Sequence, residues 1–401
     1  MVHITDVESH GIYTDLLRKF RNESYEVYIV TPNERRGGKP TQLIENNGVH
    51  ILQVRTLNLQ KTNVLEKGIG QVSIETLYKR AIKKYLKGVV FDLILYSTPP
   101  VTFPRVINFL KNNNPNASTY LLLKDIFPQN AVDLGMISQT GVGRILYRFF
   151  RNKEKLLYRL SDNIGCMSPA NMEYVLKHNP ELSKNKVEVA PNSLEISDTI
   201  DPSQLRSERW YVRSKLGIPL DVPVFVFGGN LGKPQGIPFL MDCLEANANR
   251  DNCFFVVIGT GTELPRLKQW YNIVNPKSVI IIDGLPKGEY DIMARTCDVG
   301  LIFLDYRFTI PNFPSRILSY MENKMPVLCA TDTNTDIGKI VEENGFGYWC
   351  ESNSVEAFTT AVDRMLHADR KSMGEKGYEY LCQNYLVQNT FEIIVNHLID
   401  V

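Results

Sequence analysis

The sequence contains no run of the roughly 18–20 uninterrupted apolar residues that crossing a bilayer requires, so no membrane-spanning helix is expected. Its first residues, MVHITDVESH, lack a basic stretch leading into an apolar core, and no secretory signal is read there. The seven cysteines (166, 243, 253, 297, 329, 350 and 382) are odd in number and none are spaced CxxC. That argues against a disulfide framework or a zinc site and fits reduced thiols in a cytosolic protein. The six histidines (3, 10, 50, 178, 367 and 397) show no HxxxH or other metal spacing, and there is no GxSxG elbow. No DxD pair occurs either, which removes the usual divalent-cation clamp of metal-dependent sugar-nucleotide enzymes. Charged residues make up only 22% against 43% hydrophobic and 10% aromatic, a balance that excludes a disordered chain.

What is present is uneven. The net charge of +1 over 401 residues conceals 26 Lys+Arg against 17 Asp+Glu in residues 1–193, and 19 against 27 in the remainder. A basic half and an acidic half point to different partners. The basic half suits an anionic membrane surface; without an aromatic-interleaved basic strand or a recognition-helix pattern, nucleic acid is not expected as a partner.

Short apolar runs alternate with amphipathic stretches. Tyr25–Thr31, Phe91–Tyr96, Thr119–Leu123, Asn163–Met167 and Lys186–Val189 read as strands, with helical sequence such as Ile74–Leu86 between them. From Pro191 to Asp221 the pattern breaks into a polar linker with a short helix around Gln204–Leu216. The alternation then restarts with Val222–Phe227, Cys253–Ile258, Ser278–Ile282, Val299–Leu304 and Pro326–Cys329. The expectation is an α/β chain of two doubly wound Rossmann-like domains facing a central cleft, with ligands beyond the carboxyl ends of the strands. The boundaries are 1–193 for the N-terminal domain, with a returning C-terminal helix at 386–401, 194–220 for the linker, and 221–385 for the C-terminal domain.

Four segments carry chemistry. The first, GGNLGKPQG (228–236), lets backbone approach a ligand closely and leads into a helix over Ile237–Ala246, whose N-terminus with Lys233 suits a phosphate. It is not a Walker loop, because Pro234 stands where a magnesium-holding hydroxyl would be. A second glycine turn, IGTGTEL (258–264), reads as another wall of the same pocket. In NFPSRILSYMENKMPVL (312–328), Pro314 and Ser315 open a helix as an N-terminal proline and a hydroxyl cap. Arg316 then opposes the helix dipole, a conflict that a bound diphosphate removes. In LLLKDIFPQNAVDLGM (121–136), Asp125 follows an apolar strand beside Lys124 and is placed to accept or orient a hydroxyl proton, or to cap the next helix. Beyond it, residues 141–160 form a helix with Arg144, Arg148, Arg151, Lys155 and Arg159 on one stripe and Ile145, Phe149, Leu156 and Leu160 on the next. This reads either as a membrane-surface element or as an ordinary helix with a solvated basic face.

Together these segments resemble the family 4 glycosyltransferases of the GT-B fold, over essentially the whole chain. KDIFPQNAVDLGM is similar to the family's D-[LI]-[WF]-P segment, and GGNLGKPQGI to the GNLGKAQGL loop of a subgroup that builds O-antigen and capsule. PNS at 191–193 resembles the opening of the interdomain linker, and PSRILSYMENKMPVL the donor-binding helix. Within the family the motifs resemble those of the N-acetyl-L-fucosaminyltransferases of capsule and O-antigen assembly. The resemblance implies retaining, metal-independent transfer from a UDP-sugar to an undecaprenyl-diphosphate-linked sugar, without a cofactor. The enzyme would work in the cytoplasm, peripherally on the inner face of the plasma membrane. It implies catalytic roles for Asp125, Lys233 and Arg316. The donor would meet Gly229, Asn230, Gly232, Lys233, Gly259, Gly261, Asp283, Leu285, Pro286, Ser315, Arg316, Ser319 and Glu322. The acceptor side would be Gly11, Tyr13, Ser97, Lys124 and Asp125, the first two within a Glu8–Tyr13 loop. The C-terminal segment Phe391–Ile399 would cross back onto the N-terminal domain.

Three departures stand out. Ser319 occupies the place of the family's ribose-binding glutamate, with Glu322 one turn on, and Pro311 falls near that of its partner carboxylate. Asn230 and Gln235 stand where many members carry Arg and Lys. The chain begins at VHIT, so the usual first strand looks truncated. The rival expectations are a UDP-sugar epimerase on the same fold and a non-catalytic sugar-nucleotide-binding partner of an assembly complex.

Overall fold

A computed structural model describes residue 4 and residues 6–58, 64–197 and 201–399. The chain divides into two compact units, Met1–Glu195 with Leu386–Val401, and Ile196–Tyr385.

The first unit contains two sheets. Strands β1 (Val27–Glu34), β2 (Gln42–Asn46) and β3 (Val49–Thr56) are ordered β1-β3-β2, with β1 parallel and β2 antiparallel to β3. The β2–β3 hairpin turns at Asn47 and Gly48, both at positive φ (51° and 70°), the Asn-Gly pair such a two-residue turn demands. Strands β4 (Leu93–Thr98), β5 (Ser118–Leu123), β6 (Asn163–Cys166) and β7 (Val187–Val189) form a separate, wholly parallel sheet in sequence order. The expected single open sheet is thus two sheets, and among the described residues no strand precedes Val27.

The helix Val387–Ile399 lies on this unit. Its Phe391 and Ile394 join Phe20, Ile29, Ile51 and Tyr120 in one apolar core, with Phe20 and Phe391 edge to face at 4.9 Å. Backbone pairing of Val387 N–H with Leu194 O at 2.9 Å fixes its start.

The second unit holds one parallel sheet of β8 (Val224–Asn230), β9 (Phe254–Thr260), β10 (Val279–Asp283), β11 (Val299–Phe303), β12 (Val327–Thr331) and β13 (Gly347–Glu351), ordered β10-β9-β8-β11-β12-β13. The runs VFVF, FFVVI and VGLIF are buried along their length, as strands covered on both faces must be. Strand order reverses between β8 and β11, so the crevice at their carboxyl ends is the expected ligand site of such a sheet.

The segment expected to be a linker carries the helix Pro202–Leu216, which is anchored to this unit. Arg213, fully buried, reaches Asp298 at 2.7 Å, and Glu208 and Arg295 pair through two hydrogen bonds of 2.6 and 2.7 Å. No helix among the described residues is long and apolar enough to cross a membrane.

Candidate active site

The reversal point of the second sheet is built on glycine. β8 continues through Gly228, Gly229 and Asn230, which pair in register with Ile258, Gly259 and Thr260 of β9. A Cβ on Gly259 would stand 2.0 Å from Gly229 O, and one on Gly261 2.1 Å from Leu231 O. These two glycines therefore let two backbones meet, a structural duty that precedes any ligand. Gly261→Ala is expected to destabilise this unit by at least about 1–3 kcal/mol, the usual penalty of overpacking, read as a lower thermal midpoint.

Gly228 and Gly229 are spaces for side chains. A Cβ on Gly228 would collide with the Tyr290 hydroxyl, and one on Gly229, at φ 117°, would touch the Arg316 guanidinium at 3.5 Å. Arg316 packs its guanidinium over the Phe227 ring at 4.4 Å, and its inaccessible Nη1 has no hydrogen-bond partner. Burial lowers its pKa, partly opposed by the Tyr320 and Tyr290 hydroxyls, which are hydrogen-bonded to each other. Tyr320 in turn donates to Val226 O or Leu301 O, at 3.1 and 3.3 Å, fixing this cluster to the strand ends. A guanidinium without a hydrogen-bond or ion-pair partner among the described residues, beside a bare backbone at a strand-order reversal, is chemically suited to an anion.

The loop after β8 is tied to the segment after β11 by Asp305 N–H donating to Pro234 O at 3.0 Å. Lys233 stands exposed at its tip, with no ion pair among the described residues, and Gly232 is buried just before it. The Asn230 and Gln235 side-chain amides meet at 3.2 Å across this loop. Leu285 and Pro286 introduce the helix Lys287–Arg295, with Pro286 at its N-cap. Asp283 ends β10, is exposed, and pairs with Lys268 at 2.5 Å. Ser315 occupies the N-cap of the helix Arg316–Glu322, but in helical backbone geometry its hydroxyl makes no capping bond, contrary to expectation. Glu322 Oε1 accepts the Ser197 N–H at 3.0 Å, so that carboxylate is engaged with the entering chain, while Ser319 lies one turn earlier.

In the first unit the carboxyl ends of β4 and β5 collect the expected residues. Thr98 Oγ1 donates to Asp125 O at 3.0 Å, joining the two strand ends. The Asp125 carboxylate takes both its oxygens' bonds from Asn130 Nδ2, at 2.7 and 2.8 Å. It therefore braces the helix Gln129–Asp133 through a side chain, while Pro128 occupies the N-cap. Burial pushes the Asp125 carboxyl up to about 6, with the Asn130 bond opposing. Lys124 sends Nζ toward Ala190 O at 3.4 Å, and burial pushes it down to about 7. The Tyr13 and Ser97 hydroxyls are hydrogen-bonded to each other, and burial raises the Tyr13 pKa.

The hub of the preceding loop is a residue that sequence reasoning missed. Asp15, fully buried, binds His10 Nδ1 and Gly11 N–H at 2.9 Å, Arg18 at 2.8 Å and Glu195 N–H at 3.0 Å. These bonds, led by His10, outweigh burial and hold its carboxyl below the usual range. A carboxylate in the first turn of the helix Thr14–Asn22 was the available signal; its four partners were not.

The basic stripe divides. Arg151 is bound to Glu154, His178 O and the Asn179 side chain, and Lys155 pairs with Glu181 at 3.1 Å. Neither is a free surface cation, which corrects the five-residue reading. Arg144, Arg148 and Arg159 are exposed, with no ion pair among the described residues.

Residues 208–380, within the second unit, match the family described as Glycosyl transferases group 1. The chain is 24% identical over 338 residues to a probable glycosyltransferase, WbjE, of Pseudomonas aeruginosa, covering 81% of this chain and 78% of that protein. Its fold is shared with sucrose-phosphate synthase of Thermosynechococcus elongatus, at a TM-score of 0.76 and 14% identity, over 98% and 96% of the two chains. It is shared also with Anabaena HepE, solved in complex with UDP and glucose, at a TM-score of 0.62 and 14% identity, over 88% and 86%. The second unit thus matches the group 1 glycosyltransferase family model over residues 208–380, and the α/β fold of the chain is that of GT-B glycosyltransferase structures.

Proposed function

We propose that the protein transfers a sugar, N-acetyl-L-fucosamine foremost, from a UDP-sugar to an undecaprenyl-diphosphate-linked sugar during capsular polysaccharide or O-antigen assembly. In this reading transfer retains anomeric configuration, needs no metal ion, and takes place at the inner face of the plasma membrane. The second unit holds the donor and the first unit meets the acceptor. The likeness to WbjE and the UDP and glucose bound to HepE favour this substrate class.

The observation that carries the reading is Arg316, a cation whose buried Nη1 has no hydrogen-bond partner, beside Gly229 at the strand-order reversal. As the bond between the anomeric carbon and the diphosphate breaks, negative charge gathers on the diphosphate. Arg316, Lys233 and the N-terminus of the helix Ile237–Ala246 are the groups that would stabilise it. Asp125 would accept or orient the acceptor hydroxyl.

The deciding experiment offers the purified protein a panel of UDP-sugars and a lipid-diphosphate-linked amino sugar in EDTA, with products read by mass spectrometry and their anomeric configuration by NMR. A new glycolipid establishes the reaction and names the donor. A second reading draws on Ser319 and on the engagement of Glu322 by Ser197, which leave the ribose position without a free carboxylate. It is a non-catalytic partner, and it predicts UDP binding with no product from any sugar.

The shifted groups set a pH dependence. Turnover should rise as pH passes about 6, where Asp125 ionises, and fall above about 7, where Lys124 loses its proton. Asp125→Asn is expected to cost about 10²-fold in rate, abolish the acidic limb and leave UDP binding intact. The stability signs differ. Asp125 holds its proton more tightly in the folded protein than an ordinary aspartate does in the unfolded chain, so its contribution is full below about 4 and lost by about 6. Lys124, lowered from 10.5 to about 7, binds its proton less tightly when folded, so stability gains from it as pH rises through that interval. Titration of the thermal midpoint in wild type and Asp125→Asn isolates the first effect.

A further inference from the structure

We propose that the outward side of the helix Gly143–Leu160 seats the protein on an anionic lipid bilayer, its apolar side chains entering the headgroup region and Arg144, Arg148 and Arg159 facing lipid phosphates. The inward side is settled by packing: Glu154, Leu157 and Tyr158 are buried. The outward side is not what solvent alone selects. Val142, at the helix N-cap, is 86% exposed, Ile145 71%, Leu146 47%, Phe149 42% and Leu156 40%. At about 100° per residue, Ile145, Phe149 and Leu156 fall within about 40° of one another. The three arginines fall within about 60° of one another and border that apolar stripe.

Charge selects the occupant. The helix's one carboxylate, Glu154, is buried and bound to Arg151 and Tyr158, so its exposed surface offers cations, apolar groups and the uncharged amide of Asn152, and no anion. A second copy of this surface would set arginine against arginine. An anionic bilayer matches both stripes at once, an apolar layer beneath a plane of phosphates. Arg151 and Lys155 take no part, because their partners lie within the protein.

The inference deepens the proposed use of a lipid-linked acceptor, and vesicle binding is measured without donor or turnover, so either can fail alone. The full chain would be sedimented with phosphatidylcholine vesicles with and without phosphatidylglycerol. Wild type should partition onto the anionic vesicles, less so as salt rises. Ile145→Asp with Phe149→Asp should lower partition at least about tenfold on both kinds of vesicle. Arg144→Ala with Arg148→Ala should lower it about 30-fold on anionic vesicles only, with a shallower salt dependence. Lys155→Ala should stay within about twofold of wild type, its charge being already paired. The milder Ile145→Ser with Phe149→Ser guards against misfolding, with thermal midpoints compared across all variants. The proposal is overturned if wild type stays in the supernatant or if the apolar variants bind as wild type does. It is overturned equally if wild type ignores vesicles but self-associates in sizing runs through these same residues.

Discussion

Arg316→Met is expected to lower kcat/KM for sugar transfer by about 10³-fold while leaving the unliganded protein as stable as wild type, or more so. The two halves of that expectation share one cause. The guanidinium is partly buried, has no ion pair among the described residues, and leaves Nη1 without a hydrogen bond. Holding a cation in that condition costs free energy, which the stacking on Phe227 at 4.4 Å offsets only in part, by about 0.5–2 kcal/mol. Methionine fills similar volume without the charge. A bound diphosphate would return what the free protein lacks, charge-assisted hydrogen bonds shielded from water. UDP should therefore raise the thermal midpoint of wild type by several degrees and that of the variant hardly at all. Arg316→Lys should recover part of the rate, since lysine restores the charge but not the planar fork. If Arg316→Met unfolds readily and keeps its turnover when folded, the residue is architectural and the site assignment falls.

Sequence reading reached what local pattern can encode. The apolar runs that became β4 to β6 and β8 to β12 are short, dense and punctuated by Gly, Pro or Asp, and parallel strands buried on both faces leave that mark. The strand β2 is poorly legible, because its two apolar residues, Leu43 and Ile44, are a weak signal; the Asn47-Gly48 turn is the better one. β13, five residues at the sheet edge, is likewise poorly legible. The stretch 228–230 has the sequence of a loop, whereas glycines on both strands let β8 and β9 continue pairing there.

At the site, Arg316 was legible as a cation set against a helix dipole. Its seat on Phe227 was not, since 89 residues separate the two in sequence while the sheet makes them neighbours. The same limit explains the basic helix. A helical repeat shows which residues share a face, but the groups that bind Arg151 and Lys155, at 178, 179 and 181, come from the following helix and the turn beyond it. The hub at Asp15 gathers a loop, its own helix and Glu195, 180 residues on.

Arg213→Ala is expected to destabilise the second unit by about 3–5 kcal/mol, the usual result of removing one partner from a buried ion pair. Arg213 is fully buried, and its guanidinium satisfies Thr296 O at 2.6 and 3.0 Å, Pro219 O at 3.1 Å, Val222 O at 3.3 Å and Asp298 at 2.7 Å. Truncation leaves carbonyls without donors and opens a cavity under the helix Pro202–Leu216. Arg209 at 2.7 Å and Val224 N–H at 2.8 Å would still hold Asp298, so adding Asp298→Asn should not restore wild-type stability. Lysine at 213 should fall between, because a point charge reaches Asp298 or the carbonyls but does not fork between them. The protein supplies its own probe. Its three tryptophans, Trp210, Trp270 and Trp349, all lie in the second unit, so fluorescence during urea unfolding follows that unit alone. A fluorescence midpoint that Arg213→Ala does not move would mean that the helix Pro202–Leu216 is tethered to the unit rather than part of its cooperative core.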